Sequence, residues 1–455
     1  MKKQLYIILF CLGTAIRFFH LGEAIESPHT WRQSDTANYI WDFYTNGINL
    51  FSPSVCWMGG HKTLLLEFPI TEAIIATTYH ITGPSHVIAK IWFLLFFLGS
   101  CFYFFKIINH FFNLDITRLI TLVYLFSPLS QFYSRAIHID YTELFFIFAM
   151  AYYYIKGINR KSNFHLTISA IFATLALVTK APYAIIFSVP LIAYTIRQKE
   201  LLLLLRKSYI FIIPIIVFIL WQNFVFRTND SVPDWNFIPG FRKFTYNPGW
   251  YYGAFSQRLN LDNWQIITSR IFNEILGYSG LTLVIIGLFF SQQKKTFFYF
   301  WLVATICYLL LFFNLNRVHN YYQIPFVPIL SIFMGLGIHK LSELTNNLKL
   351  KPLFLLIPLL IYSTESTIYS EKNYYKIQHL HLEIGETIRS KTKPSDLVII
   401  NFENYDSKCP NFLYAAKRNG WQVPNWGLKG NVLYRLMLEK ANYFATISKV
   451  PPSGE

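Results

Sequence analysis

A polar stretch near the amino terminus, SPHTWRQSDTANY at residues 27–39, places Trp31, Arg32 and Asp35 within five positions in an otherwise apolar sequence. Ser34 is a favourable N-cap residue, and the apolar side chains that follow it have the spacing of an amphipathic helix, which would lie along a membrane surface. In the first turn of such a helix, the backbone amides keep the Asp35 carboxylate ionised. An ionised carboxylate near an arginine is a candidate general base, although a residue that only caps a helix has the same signature.

Further charged and aromatic polar side chains stand between or within the apolar runs. They are Lys62 and Glu67 in HKTLLLEFP, Arg135, His138 and Asp140 in SRAIHID, Lys180 in TKAP, and Arg317, His319, Tyr321 and Tyr322 in NRVHNYY. Arginine and lysine bind phosphate oxygens and carboxylates accept protons, so these residue types suit phosphate binding and proton transfer. A divalent metal ion bound by His138 and His319 with Asp35 or Glu67 is an alternative, but no histidine pair has a recognised ligand spacing.

The elements that must position these residues are membrane helices. Of the 455 residues, 53% are hydrophobic and only 14% are charged, a composition that excludes an ordinary soluble protein. Apolar runs long enough to cross about 30 Å of hydrocarbon recur along the chain. We predict an all-α polytopic membrane protein with about eleven transmembrane helices, in a range of ten to thirteen. Their approximate positions are 4–21, 86–109, 116–133, 141–156, 164–179, 181–197, 208–226, 270–290, 296–313, 322–340 and 353–369.

The distribution of positive charge predicts the orientation of these helices. Lysine and arginine are retained in cytoplasmic loops, and a cytoplasmic amino terminus places most of the basic residues there. The net charge of +16 is therefore a topology signal, and nucleic acid is not an expected partner. This orientation places the loop 22–85 outside. The loop is much longer than a connection requires, and long ordered loops usually carry function.

An odd number of spans also places residues 371–455 on the outer side. Within this region DLVIIN and ANYFATIS are typical of strands, and CPNFLYAAKRNGW is typical of a helix that ends at Gly420. The predicted organisation is a transmembrane module at 1–370, with amphipathic interfacial helices in its 22–85 loop, and a small extracytoplasmic α/β domain at 371–455.

In this topology the candidate side chains all fall on the outer side of the membrane. Cations in short outer turns run against the usual charge bias, so they indicate a specific anionic partner, and a lipid phosphate fits that description. A multi-pass lipid or sugar transporter, or flippase, is the alternative. Transporters usually place polar residues near the bilayer midplane in repeated halves, whereas this sequence shows no repeat and few polar residues at that depth.

Several segments, taken in order, carry a family resemblance: WRQSDTA, EFPITEAIIATTYHITG, SPLSQFYSRAIHIDYTELFF, LVTKAPYAII and HNYYQIPFVPIL. They resemble the GT-C membrane glycosyltransferases, particularly the family 39 members related to protein O-mannosyltransferases and lipid A aminoarabinose transferases. The resemblance implies an inverting enzyme that moves a monosaccharide from a polyprenyl-phosphate donor to a hydroxyl acceptor. The acceptor would be a glycolipid, a polysaccharide or a protein at the periplasmic face of the bacterial inner membrane.

The resemblance also implies roles for individual residues. Asp35 matches the family's catalytic acidic residue, Glu67 the start of an EKPP-like stretch, Asp140 a second acidic position and Lys180 a basic position. Phe68 stands where the family commonly has a lysine, so Lys62 or Arg32 is expected to replace that phosphate contact. The expected phosphate ligands are completed by Arg135 and Arg317, and the expected lining of the sugar pocket is Trp31, His138, His319, Tyr321 and Tyr322.

Overall fold

A computed structural model describes residues 3–238, 241, 247–290, 296–345, 349–402 and 410–447. The chain divides into two compact units, each assembled from separate stretches of sequence. The first comprises Met1–Leu21, Lys90–Leu220 and Asn247–Tyr375; the second comprises Gly22–Ala89, Trp221–Tyr246 and Lys376–Glu455. The second unit thus combines the long first loop with the carboxyl-terminal region.

The described residues of the first unit are almost entirely helical. Two helices, His86–Phe111 and Ser208–Asp230, contain boundaries between the units. The other helices are Lys3–Ala15, Leu114–Phe126, Pro128–Tyr133, Asp140–Arg160, Asn163–Arg197, Leu201–Arg206, Pro248–Tyr251, Phe255–Leu259, Leu261–Phe289, Thr296–Leu311, Phe313–Val318, Phe326–Ser342 and Lys351–Asn373.

Five of the described helices are long and apolar enough to cross a membrane: His86–Phe111, Asn163–Arg197, Ser208–Asp230, Leu261–Phe289 and Lys351–Asn373. About 20 apolar residues suffice for one crossing. Shorter apolar helices, Thr296–Leu311 and Phe326–Ser342, accompany them. The chain is therefore a membrane protein, and the number of eleven spans stays a prediction.

The helix Asn163–Arg197 reverses direction at Lys180, whose backbone angles are not helical (φ −153°, ψ 70°). Before Lys180, successive residues contact earlier and earlier positions of the helix Asp140–Arg160, so the two segments are antiparallel. After Lys180, successive residues contact later and later positions, so the two segments are parallel. The pairs are Tyr153–His165, Met150–Ser169 and Phe145–Phe172 before Lys180, and Asp140–Tyr183, Phe148–Phe187 and Asn159–Tyr194 after it. The reversal falls between the two predicted spans 164–179 and 181–197.

The second unit mixes helices and strands. Its helices are Thr30–Asn46, Ile70–Thr82, His379–Lys391, Asn411–Ala416 and Gly430–Leu438. Two pairs of short antiparallel strands join Glu26–Ser27 to Lys376–Ile377 and Ser54–Val55 to Lys62–Thr63. Three longer strands form a parallel sheet with Leu397–Phe402 in the centre, flanked by Asn419–Pro424 and Ala441–Ile447.

The two strands predicted in the carboxyl-terminal region are present, but the predicted helix is wrong in its extent. The described helix ends at Ala416, where Lys417 adopts a left-handed conformation (φ 53°), and residue 409 lies outside the described residues. Residues 419–424 form a strand because they pair with Leu397–Phe402. Gly420 permits this approach, since a Cβ there would lie 1.8 Å from the Val398 carbonyl oxygen.

Candidate active site

The helix Thr30–Asn46 of the second unit carries Arg32 and Asp35. The prediction that Ser34 caps this helix is wrong, because the helix begins at Thr30 and Ser34 is buried within it. Asp35 therefore lies beyond the first turn, where free backbone amides no longer stabilise a carboxylate. Residues 33–40 are all buried, so the helix is enclosed on every side and its middle does not lie with one face on a membrane.

The Asp35 carboxyl group is buried, with 3% of the residue exposed, and Trp57 Nε1 donates a hydrogen bond to its Oδ1 (3.0 Å). Burial raises the pKa of Asp35 to about 7, against the opposing effects of the Arg32 charge and the Trp57 hydrogen bond. Burial thus opposes the ionised carboxylate that a first-turn position would favour. A carboxyl group that exchanges its proton near neutral pH is well suited to general base catalysis.

Arg32 links Asp35 to Glu67. Arg32 and Asp35 lie three residues apart and share one face of the helix. Arg32 Nη2 forms an ion pair with Glu67 Oε2, and the Glu67 side chain is 3% exposed. The Arg32 and Glu67 charges act on Asp35 in opposite directions. The structure thus brings together three of the predicted site residues in one buried cluster.

Trp31 and Lys62, the other two predicted site residues of this unit, make their described contacts outside this cluster. The Trp31 ring contacts the His29 ring edge-to-face (6.4 Å between centroids). Lys62 is half-buried and lies in the short strand Lys62–Thr63, where it pairs with Val55 of the neighbouring strand. Among the described residues, no ion pair joins Lys62 to Asp35 or Glu67, so Arg32 is the cation of this cluster.

Trp57 and Tyr39 position the cluster, and sequence reasoning missed both. Tyr39 OH donates to the Leu64 carbonyl and accepts from Leu66 N (3.0 Å), which fixes the segment leading to Glu67. Trp57 orients the Asp35 carboxylate. Neither role has a signal in the sequence, because the partners of both side chains are about 20 or more residues away.

The hairpin that carries Trp57 is fixed by two glycines. Gly59 N donates to the Gly420 carbonyl (2.7 Å), and Gly420 N donates to the Cys56 carbonyl (2.9 Å). Gly59 has a positive φ of 83°, and a Cβ on it would lie 2.5 Å from the Trp421 ring. Only glycine meets both conditions without strain.

Glu72 is a further acidic residue that the sequence analysis did not single out. It is fully buried on the helix Ile70–Thr82, which packs against Thr30–Asn46. Neither of its carboxylate oxygens has a hydrogen-bond partner among the described residues. Burial, followed by the nearby Glu67 charge, raises the pKa of Glu72 to about 8. Its position in an apolar run five residues after Glu67 was the available signal.

The first unit contains a second cluster, centred on Asp140 at the start of the helix Asp140–Arg160. The fully buried Asp140 carboxylate forms ion pairs with Lys180 and His138 and accepts a hydrogen bond from Tyr183 OH. The Lys180 ammonium also faces the rings of Tyr183, Tyr321 and Tyr322 at 4.6, 4.8 and 4.4 Å. The backbone break at Lys180 therefore places its ammonium group beside the Asp140 carboxylate and the three tyrosine rings.

Of the other predicted residues of this unit, the histidines contact the Asp140 cluster, whereas the two arginines contact residues outside it. The His138 and His319 rings both contact Tyr321, at 4.6 and 5.0 Å between centroids. Arg135 lies over the Tyr375 ring (4.6 Å), and Arg317 Nε donates to Asn263 Oδ1 (2.6 Å). Lys180 is thus the predicted phosphate ligand that lies among the predicted sugar-pocket residues.

The described residues offer no ready metal centre. Among them, no three His, Cys, Asp or Glu side chains are grouped so that they could hold a metal ion. His138 pairs with Asp140, and His319 stacks on Tyr321. The alternative of a divalent ion bound by these two histidines therefore has no ligand set in the described part of the chain.

Glu143 lies one turn after Asp140 and was also missed. It is fully buried, and neither of its carboxylate oxygens has a hydrogen-bond partner among the described residues. An acidic residue within a predicted span, as in TELFF, is an indication of function that the sequence did contain.

Comparison with known proteins identifies the fold. No protein-family model and no curated protein sequence matches the chain. The chain is similar to the crystal structure of ArnT from Cupriavidus metallidurans bound to undecaprenyl phosphate, with 12% identity and a TM-score of 0.63 over 98% of this chain and 90% of that one. The apo ArnT structure gives a TM-score of 0.61 at 12% identity, over 97% of this chain and 89% of that one.

A solved structure of a second protein extends the comparison. The archaeal oligosaccharyltransferase AglB from Archaeoglobus fulgidus, in complex with an inhibitory peptide and a dolichol-phosphate, has a TM-score of 0.58 at 9% identity. The match covers 92% of this chain and 64% of AglB. These neighbours are GT-C glycosyltransferases, and the chain has their GT-C fold.

Proposed function

We propose that this protein is an inverting glycosyltransferase. It moves a monosaccharide from a polyprenyl-phosphate donor to a hydroxyl-bearing acceptor at the extracytoplasmic face of the bacterial inner membrane. The observation that carries the proposal is the Asp35 carboxyl group, buried, held by Trp57 and able to exchange a proton near pH 7, in a chain with the GT-C fold. The ArnT structure contains undecaprenyl phosphate and the AglB structure a dolichol-phosphate, and these lipid phosphates support the donor class.

In this mechanism Asp35 is the general base. It accepts the proton of the acceptor hydroxyl as that oxygen attacks the anomeric carbon and the bond to the phosphate breaks. A sugar phosphate already carries a leaving group that departs as an anion, so no acid has to protonate it. Glycoside hydrolysis, with a poorer leaving group, requires two carboxyl groups. Glu67 holds the Arg32 guanidinium by an ion pair, and the Arg32 charge favours the ionised form of Asp35 while the Glu67 charge opposes it.

The Asp140 cluster serves the donor in this proposal. A departing phosphate gains negative charge in the transition state, so a fixed cation stabilises it more than it stabilises the bound donor. Lys180 is the best candidate because Asp140 fixes its ammonium and three tyrosine rings line it. Tyr321, His138 and His319 provide the aromatic and hydrogen-bonding groups of a sugar site.

The deciding experiment is transfer by the purified protein from radiolabelled polyprenyl-phosphate sugars to acceptors in membrane extract. Replacing Asp35 by Asn keeps size and removes the base, so transfer should fall about 10²- to 10⁴-fold in a folded variant. Asp115→Asn is the matched control, because that aspartate is exposed and its ion pair with Arg118 is far from the cluster in sequence. Full transfer by Asp35→Asn would remove the base assignment.

The same assay separates the transferase from the transporter. A transferase changes the chemical form of the label, which moves from lipid phosphate to a new acceptor. A transporter or flippase leaves the labelled lipid intact and changes only the leaflet in which it is found. Chromatography of the products after incubation in detergent, where no leaflets exist, therefore distinguishes the two functions.

A further inference from the structure

The second unit exposes an apolar surface that the proposed reaction does not use. Four large exposed side chains lie within thirteen consecutive residues, and we call them the apolar patch: Trp426, Tyr434, Met437 and Leu438, which are 66%, 63%, 65% and 67% exposed. The last three have the spacing i, i+3, i+4 and share one face of the helix Gly430–Leu438. Trp426 lies just before this helix, in the turn Asn425–Gly427.

Folding does not account for this face of the helix. Val432 and Leu436 are its buried residues, and the helix packs against the strand Ala441–Ile447. At about 100° per residue, Tyr434, Met437 and Leu438 lie on the side of the helix opposite Val432 and Leu436. The helix is therefore apolar on two faces, and only one of them is used by the core.

The charged residues next to the apolar patch are mostly basic. Lys429, Arg435 and Lys440 are exposed, and Glu439 is the one acidic residue between positions 425 and 440. Tryptophan and tyrosine collect at the membrane–water interface, and lysine and arginine beside an apolar helix face are attracted to anionic headgroups. The residue types of the patch and its border match such a surface.

The size of the patch favours lipid over a protein partner. A stable protein interface involves about 20 to 30 residues on each side, many more than these four. The membrane-spanning helices of the same chain keep a bilayer permanently within reach. We propose that the helix Gly430–Leu438 inserts the apolar patch into the interfacial layer of a bilayer that contains anionic lipid.

The test uses the tryptophan within the patch. The full chain is reconstituted in nanodiscs of phosphatidylcholine and phosphatidylglycerol, with ordinary or brominated acyl chains, and the emission of Trp426→Phe is subtracted from that of the wild type. This difference is the emission of Trp426 itself. Bromine quenches tryptophan in the bilayer, so the Trp426 emission should be at least twofold smaller in brominated than in ordinary lipid. Trp421→Phe is the control, because that buried ring should give equal differences in both lipids.

Charge provides the second arm. Lys429→Glu and Lys440→Glu are introduced together to remove the attraction to anionic lipid. In this variant the Trp426 emission should be nearly the same in ordinary and brominated nanodiscs that contain phosphatidylglycerol. A Trp426 difference that is equal in ordinary and brominated lipid in the unaltered chain would overturn the proposal. So would a dimer in detergent that Leu438→Asp dissociates, since the patch would then bind a second copy of the chain.

Discussion

At Asp35 two physical effects oppose each other. Removal of the carboxyl group from water favours its neutral form, whereas the Arg32 charge and the Trp57 hydrogen bond favour the ionised form. Burial has the larger effect and raises the pKa to about 7. An exposed aspartate, with a pKa of about 3.9, would be a much weaker base at neutral pH.

The pH dependence of transfer should show the raised pKa of Asp35 directly. Because the base must be ionised, kcat/KM should rise with pH to a plateau, with the midpoint of the acid limb near 7. Trp57→Phe removes a hydrogen bond that favours the ionised form, so the limb should move to higher pH. Initial rates between about pH 5 and pH 9 check both statements. A wild-type limb near pH 4, or a shift to lower pH in Trp57→Phe, would contradict the assignment.

The sequence was sufficient to single out Asp35, Arg32 and Glu67, because charged residues are conspicuous in an apolar chain. It was not sufficient to find Trp57 or to predict the protonation of Asp35. Both depend on which segments of the chain enclose the carboxyl group. The acidic Glu72 was equally visible, but its burial became apparent only when the helix Ile70–Thr82 was packed against Thr30–Asn46.

Among the elements, the hairpin around Trp57 depends on a close approach that a sequence pattern does not reveal. Short strands of two residues have little intrinsic stability, so the backbone bonds from Gly59 and Gly420 are needed to hold the loop. The predicted helix through Gly420 failed for the same reason: pairing with a distant strand overrode the local helical pattern.

Gly59→Ala and Gly60→Ala form a matched pair that tests this hairpin. Gly59 has a positive φ and touches the Trp421 ring, whereas nothing lies within 4 Å of a Cβ at Gly60. We expect Gly59→Ala to destabilise the protein by about 1–3 kcal/mol and to reduce transfer, because Trp57 loses its position. Gly60→Ala should remain close to wild type. Thermal unfolding in detergent and transfer rates measure both effects, and equal behaviour of the two variants would refute the role of Gly59.

The sequence analysis separated the spans 164–179 and 181–197 at Lys180, where a charged residue and Pro182 interrupt an apolar run. The structure adds that Lys180 is committed to a buried ion pair with Asp140. On the proposed function, stability and donor binding therefore both involve this lysine, and a single substitution cannot separate them.

A double substitution separates them. Lys180→Ala should raise the apparent KM for the donor and should destabilise the protein by about 3–5 kcal/mol, since it leaves a buried carboxylate with one cation fewer. Adding Asp140→Asn should restore part of the lost stability, because the uncompensated charge is gone, without restoring the KM. Unfolding curves and donor titrations give the two quantities. An unchanged KM in Lys180→Ala would mean that the phosphate is bound elsewhere.

For the whole molecule, charge bias predicts which side of the membrane each unit's loops occupy. A cysteine at Lys391, in the carboxyl-terminal region, should react with a membrane-impermeant maleimide in intact cells. A cysteine at Lys161, in a predicted cytoplasmic loop, should react only after permeabilisation. The opposite pattern would reverse the predicted orientation. Both positions are exposed, so accessibility within the protein does not limit the reaction.

At this scale the sequence predicted a membrane protein with the GT-C fold and an α/β segment near its end, because apolar runs and the order of the polar segments between them can be read directly from the chain. The similarity to the ArnT structure, at 12% identity, confirms the fold. It did not predict that the 22–89 loop and the 376–455 region form one unit. That grouping rests on pairings such as Glu26 with Ile377, between residues more than 300 positions apart.

The backbone bonds that join Gly420 to Gly59 and Cys56 determine when the Trp57 loop can take up its structure during biosynthesis. The loop that orients Asp35 leaves the ribosome well before its backbone partner, which is made more than 350 residues later. At about 5–20 residues per second, the interval is on the order of tens of seconds. During that interval the Trp57 loop lacks these bonds, so on the proposed function transfer begins only after the segment around Gly420 has been translated and has paired with the loop.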